Sequence, residues 1–315
     1  MERIHWPDGK QFAFTIVDDT DLSTVKNVEQ IYAHLQKAGM RTTKTVWAYP
    51  SRDTFHGDCL TANPEYRKFV QELDRKGVEI AYHGAGSGAF TREETRAGLE
   101  EVRRTVGHYP RMHVNHANNA DGIYWGASRL TPFVAFFFGL YRRLRGRTPS
   151  TYGHVPDSEY FWGDICKQNI DYIRNHTFRG LNILRYDKVM PYWDQKKQAY
   201  SNYWYSASDG MEYSAFMRLV TRKRVDKLVK EGGLAVIYVH FAFGFTDDDG
   251  VPKQDFLDRI DYVASQNGWF ASLSEVLDFL KMQKGRGKKV GYFAKLRMDL
   301  TWMAEALWTK LLGQK

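Results

Sequence analysis

The sequence predicts an α/β fold, a parallel sheet or barrel with helices outside it. Two observations predict it. Four short apolar runs alternate with three amphipathic stretches over roughly residues 11–116, the order that sets parallel strands side by side with connecting helices on the outside. Three of those runs also end in residues able to do chemistry, and in such folds the chemistry collects at the C-terminal ends of the strands. With 315 residues, 43% of them hydrophobic, the chain can bury a substantial core.

The elements follow in order. "QFAFTIVDD" is a buried strand ending in carboxylates. In "LSTVKNVEQIYAHLQKAG", Val25, Val28, Ile31, Tyr32 and Leu35 recur at helical spacing, and Gly39 stands where a helix ends. "RTTKTVWAYP" is the second strand. "NPEYRKFVQELDRKG" is a helix with Asn63 as cap and Pro64 in its first turn. "VEIAYH" is the third strand, and "TREETRAGLEEVRRTVG" a helix opened by a Thr91–Glu94 capping box. "RMHVNH" is the fourth strand. From about residue 121 to 215 the alternation gives way to a long irregular stretch rich in Trp and Tyr, with a helix expected at "YFWGDICKQNIDYIRNH" and a strand at "LNILRY". Regularity returns with the helix "SAFMRLVTRKRVDKLVKEGG" and the strand "LAVIYVHF". The helix "PKQDFLDRIDYVASQNG", the short strand "WFASL" and the helix "SEVLDFLKMQK" follow. The expected organisation is one domain over residues 1–282, with an insertion at about 121–215, followed over 283–315 by a basic linker, "GRGKK", and an amphipathic C-terminal helix.

A formal net charge of +8 points to an anionic partner: nucleic acid, a membrane surface or a phosphorylated substrate. The aromatics lie in apolar stripes and form no nucleic-acid module, which argues against nucleic acid. The two cysteines, Cys59 and Cys166, stand in unrelated contexts without zinc-type spacing, and reduced thiols are expected. The N-terminal residues lack a secretion-signal pattern, so a cytoplasmic location is expected. "GAGSG" lacks the Lys-Ser/Thr ending of a phosphate loop, and "TDDDG" lacks the full spacing of an EF-hand.

Asp18, Asp19, His83, His116 and His240 all fall at strand ends, and their convergence from separate segments points to one site. These elements and residues together resemble the polysaccharide deacetylase family, the NodB-homology esterases similar to carbohydrate esterase family 4, over roughly residues 10–282. The resemblance implies a NodB-like distorted (β/α) barrel. "TIVDDTD" is similar to the family's TFDDG-like motif, which implies Asp18 as catalytic base and Asp19 as metal ligand. His83 matches the first histidine of the family's His-x-x-x-His pair, and Ser87 occupies the second position. "YVHF" matches the leucine-x-histidine motif and implies His240 as the acid that protonates the leaving group.

The departures are as informative. The family's fourth strand ends in an Arg-Pro-Pro-Tyr-Gly-like segment whose arginine steadies the base; here "MHVNHANNADGIYWG" has no such arginine. It offers His116 as a substitute third ligand, with His113 as the runner-up and Asp121 as either a ligand or part of a turn. The implied cofactor is a divalent metal, zinc before others, held by Asp19, His83 and His116. The implied reaction removes an N-acyl group, acetyl or formyl, from an amino sugar. The alternative, drawn from the missing histidine and arginine, is a catalytically inactive NodB-like protein that binds a glycan or scaffolds other enzymes. The sequence leaves the oligomeric state open.

Two further segments suggest a membrane. "LTPFVAFFFGLYRRLRGR", residues 130–147, joins an apolar aromatic block to Arg142, Arg143, Arg145 and Arg147. It is too short to span a bilayer but suited to its interface, with a buried core helix as the other reading. In the C-terminal helix Phe293, Leu296, Leu300, Met303, Leu307 and Leu311 form a stripe beside Trp302 and Trp308, which packs on the domain or a partner or lies on the membrane. The expectation is a peripheral protein at the cytoplasmic face, acting on a lipid-linked amino sugar in polysaccharide or cell-envelope biosynthesis.

Overall fold

The computed structural model describes residues 4–117, 119–148 and 150–311. The strands are β1 (Phe12–Asp18), β2 (Thr43–Val46), β3 (Glu79–Tyr82), β4 (Met112–His113), β5 (Tyr172–Phe178), β6 (Tyr192–Trp193), β7 (Tyr203–Asp209), β8 (Leu234–Val239), β9 (Gly268–Trp269) and β10 (Lys288–Lys289). Seven of them close a barrel in the order β7-β5-β4-β3-β2-β1-β8, every neighbouring pair parallel, and the β7–β8 pairing at Ser208↔Ile237 and Asp209↔Tyr238 completes the ring. This is a NodB-like (β/α) barrel, as the sequence predicts.

The helices are α1 (Val25–Lys37), α2 (Pro64–Arg75), α3 (Arg92–Val106), α4 (Pro132–Leu144), α5 (Gly163–Asn169), α6 (Tyr213–Leu219), α7 (Arg222–Glu231), α8 (Gln254–Ala264), α9 (Leu273–Lys281) and α10 (Tyr292–Leu311). α1 buries Val28, Ile31, Tyr32 and Leu35, the stripe read from the sequence. Thr91 and Glu94 form the predicted capping box of α3. Asn63 precedes α2, but its side chain accepts from the Cys59 amide rather than from the helix. Both cysteines are buried free thiols.

The irregular stretch departs from expectation. The helix predicted over residues 160–176 stops at Asn169, and its second half is strand β5. "LNILRY" carries a 3-10 turn, Ile183–Arg185, in place of a strand. Two barrel strands, β5 and β7, therefore lie inside the segment read as an insertion. Their side chains are buried at almost every position, so the alternation that marks a half-exposed strand is absent. The helix predicted from "SAFMRLVTRKRVDKLVKEGG" is two, α6 and α7. Within the expected basic linker, β10 pairs with β6.

α10 is fastened to the barrel. The His176 imidazole on β5 and the Asp299 carboxylate on α10 meet at 2.8 Å, both fully buried. The other Asp299 oxygen accepts from the Thr131 amide just before α4, and Phe138 of α4 packs edge-on against Trp302. The stripe read from the sequence is split: Leu296 and Met303 are half-buried, whereas Phe293, Leu300 and Leu307 are exposed. The Lys310 and Leu311 side chains and residue 312 lie outside the described residues.

Candidate active site

Successive side chains at the end of a strand point to opposite sides, and this sorts the three aspartates at the end of β1. Asp18 faces α1. Its Oδ2 accepts from Lys44 Nζ and Tyr32 Oη, each at 2.9 Å, and its Oδ1 from the Phe241 amide at 2.9 Å. Asp18 and Lys44 are both fully buried. Asp18, expected as the base, is thus enclosed by Lys44, Tyr32 and the Phe241 amide. Asp19 and Asp21 turn the other way. Asp19, expected as a metal ligand, instead accepts both arms of the Arg174 guanidinium, at 3.1 and 2.6 Å, and lies 4.0 Å from His83 Nε2.

Asp21 takes the central place. Its oxygens lie 3.1 Å from His83 Nε2, 3.3 Å from His116 Nε2 and 3.3 Å from His240 Nε2. Each imidazole is oriented through its other nitrogen. His83 Nδ1 pairs with the Val114 carbonyl at 2.9 Å, His116 Nδ1 with Asn119 Oδ1 at 3.0 Å, and His240 Nδ1 with the Met211 carbonyl at 3.3 Å. Such contacts fix each ring through Nδ1 and turn Nε2 toward the site. Trp47 stacks on His83 and meets His116 edge-on. Burial alone would raise the Asp21 pKa, but the hydrogen bonds from His116, His240 and His83 outweigh it and hold the carboxyl far below the usual range. Burial would lower the pKa of His116 and of His240, and Asp21 reverses both shifts.

Asp21, His83 and His116 each offer a ligand atom, all within 4.8 Å of one another. One carboxylate and two oriented imidazoles suit a divalent cation bound through three protein ligands with an open position. His116 thus stands beside His83, where the sequence left a gap at Ser87. The Ser87 hydroxyl donates to Asp53 at 2.7 Å and touches His116 Nδ1 at 3.4 Å. Gly84, directly after His83, has φ +91°, and a Cβ there would stand 2.9 Å from the Asn119 side chain that orients His116.

The other candidates stand apart. His113 is bonded to the Tyr82 carbonyl and Asn115, and burial pushes its pKa down to about 4. Burial raises the Asp121 carboxyl to about 7, and Asp121 is outside the three-residue group. Sequence reasoning missed Asp21 and Arg174. The i, i+2 spacing of Asp19 and Asp21 on one side of a strand end was the available signal; Arg174 lay in a segment read as helix.

No protein-family model matches the sequence, and no curated protein sequence matches it. Among solved structures, Puue allantoinase is 13% identical, with 90% of this chain and 95% of that chain covered and a TM-score of 0.54. The "probable Polysaccharide deacetylase from Pseudomonas aeruginosa PAO1" is 14% identical, with 90% and 96% covered and a TM-score of 0.52. At these identities the likeness is one of fold: the chain has the barrel fold found in polysaccharide deacetylases and allantoinase.

Proposed function

We propose that the chain is a metal-dependent hydrolase that removes an N-acyl group, acetyl or formyl, from an amino sugar presented on a lipid carrier. The observation that carries this is the convergence of three Nε2 atoms on Asp21, beside an Asp19 held by Arg174. Asp21, His83 and His116 would hold the cation, zinc by the nature of the donor set. When bound, such a cation polarises the acyl carbonyl and makes water a nucleophile at neutral pH.

The remaining chemistry belongs to the chain. The Arg174 guanidinium holds the Asp19 carboxylate in place through both oxygens, positioned to take a proton from the attacking water. His240 Nε2, with Nδ1 anchored on the Met211 carbonyl, gives a proton to the sugar nitrogen. The C–N bond breaks, the water oxygen goes to the acyl carbon, and the products are a carboxylic acid and a free amine. The base and ligand roles thus move to Asp19 and Asp21. The two absences that favoured an inactive protein are met from other segments, by His116 and by Arg174.

The lipid carrier is supported by α4. Among its side chains Phe133, Phe136, Phe137, Leu140 and Leu144 are exposed, Phe136 by 67% and Leu144 by 79%. Arg142, Arg143, Arg145 and Arg147 follow on the same segment, which suits an anionic bilayer surface. No helix among the described residues is long and apolar enough to cross a membrane. The test is a mass-spectrometric screen of the metal-loaded protein against acylated amino sugars, free, nucleotide-linked and lipid-linked. Deacylation with preference for the lipid-linked form is expected; no deacylation of any would remove the reading.

A further inference from the structure

A cavity of about 410 Å³ lies between the loop after His116 and the C-terminal end of α4. Arg142 and Arg147 line it with Thr148 and Ser150, and none of the described residues lining it carries a carboxylate. Asn119 lines it too, and the Asn119 carbonyl oxygen is the partner of His116 Nδ1. Asn119 therefore links this cavity to one histidine of the candidate metal centre.

The cavity has the chemistry of a phosphoryl site. Arg142 spends Nε on the Thr148 carbonyl, at 2.6 Å, which fixes the guanidinium and leaves its Nη groups to donate elsewhere. Burial, then the charge of Arg147, push the Arg142 pKa down. The Ser150 hydroxyl oxygen accepts from the Ser128 amide, so its own hydrogen can be donated. A positioned guanidinium with a second arginine and a hydroxyl in the same lining suits phosphoryl oxygens, which accept from several donors at once. The helix that carries Arg142 is also the one that exposes its phenylalanines.

We propose that this cavity binds a phosphoryl group of the substrate, holding a glycosyl phosphate or diphosphate with its sugar at the His83–His116 group and its lipid toward α4. This rests on the lipid-linked reading above and names the anchor that reading requires.

The first test needs no catalysis. Inorganic pyrophosphate is titrated calorimetrically into the full-length protein, into an Arg142→Gln/Arg147→Gln variant and into His83→Ala. Binding to wild type and to His83→Ala, weakened at least tenfold in the double variant, is the expected result. Equal binding to all three, or none to wild type, overturns the proposal whatever the enzyme does to sugars. Competition then identifies the source of the phosphoryl group. Displacement of pyrophosphate by a prenyl-diphosphate sugar or a nucleotide-diphosphate sugar supports a substrate subsite. Displacement by phosphatidylglycerol vesicles alone assigns the arginines to the bilayer and overturns it.

Discussion

The guanidinium of Arg174 grips both oxygens of Asp19, at 2.6 and 3.1 Å, inside the barrel. Lysine cannot reproduce this fork. Arg174→Ala and Arg174→Lys are both expected to lower kcat by about 10²-fold or more, the scale of a misplaced general base. Elemental analysis should show metal content retained, because Asp21, His83 and His116 are intact. A variant with wild-type kcat would remove the base from Asp19.

Metal content separates the ligands from their neighbours. Asp21→Asn, His83→Ala and His116→Ala are each expected to weaken metal binding by at least the 10–100-fold typical of outer-shell changes. His113→Ala should leave metal stoichiometry unchanged while lowering Tm, since His113 is bonded to the Tyr82 carbonyl and Asn115 within the core. Loss of metal in His113→Ala with retention in His116→Ala would reverse the assignment.

Stability should depend on pH through Asp187, which is fully buried and accepts a hydrogen bond from Ser206. Burial raises its pKa from 3.8 to about 6. The unfolded chain releases this proton at lower pH than the folded chain, so stability is lost as pH rises from about 4 through about 6. At neutral pH the cost is on the order of 3 kcal/mol. Asp187→Asn should raise Tm at pH 7 and flatten the decline between those limits. Thermal melts of both proteins across that range would show it, and parallel curves would exclude it.

Association with anionic vesicles should follow α4. Flotation with phosphatidylglycerol liposomes is expected to carry wild type at low salt and much less of it at high salt, as surface charges become screened. Phe136→Asp/Phe137→Asp should stay unbound under both conditions. Both side chains are about half exposed or more, so this change leaves the core intact. Wild type that fails to float would leave a soluble nucleotide sugar as the better substrate class.

Much of this was legible in the sequence because strand ends are local signals. Apolar runs closing on Asp19, His83 and His240 could be read without knowing what lay beside them. His116 was reachable because the gap at Ser87 called for a ligand from a neighbouring segment. Arg174 was hidden: β5 is buried on both sides, so its residues do not alternate, and an upstream helical spacing ran on into it. The directions of the aspartates could not be read, because adjacency in a motif says nothing about direction. Only the positions of Lys44 and Tyr32 show that Asp18 faces away from the site.

The most direct test is deacylation of an acylated amino sugar, followed by mass spectrometry, with metal-loaded wild type, wild type treated with chelator, Asp19→Asn and Asp18→Asn. The expected result is release of the acyl group by wild type, loss on chelation that is restored by added metal, and loss of about 10²-fold or more in Asp19→Asn with its metal retained. Asp18→Asn, compared as folded protein, should stay within about tenfold of wild type, since its contacts are structural. Activity that survives chelation, or that depends on Asp18 and not on Asp19, would contradict the account.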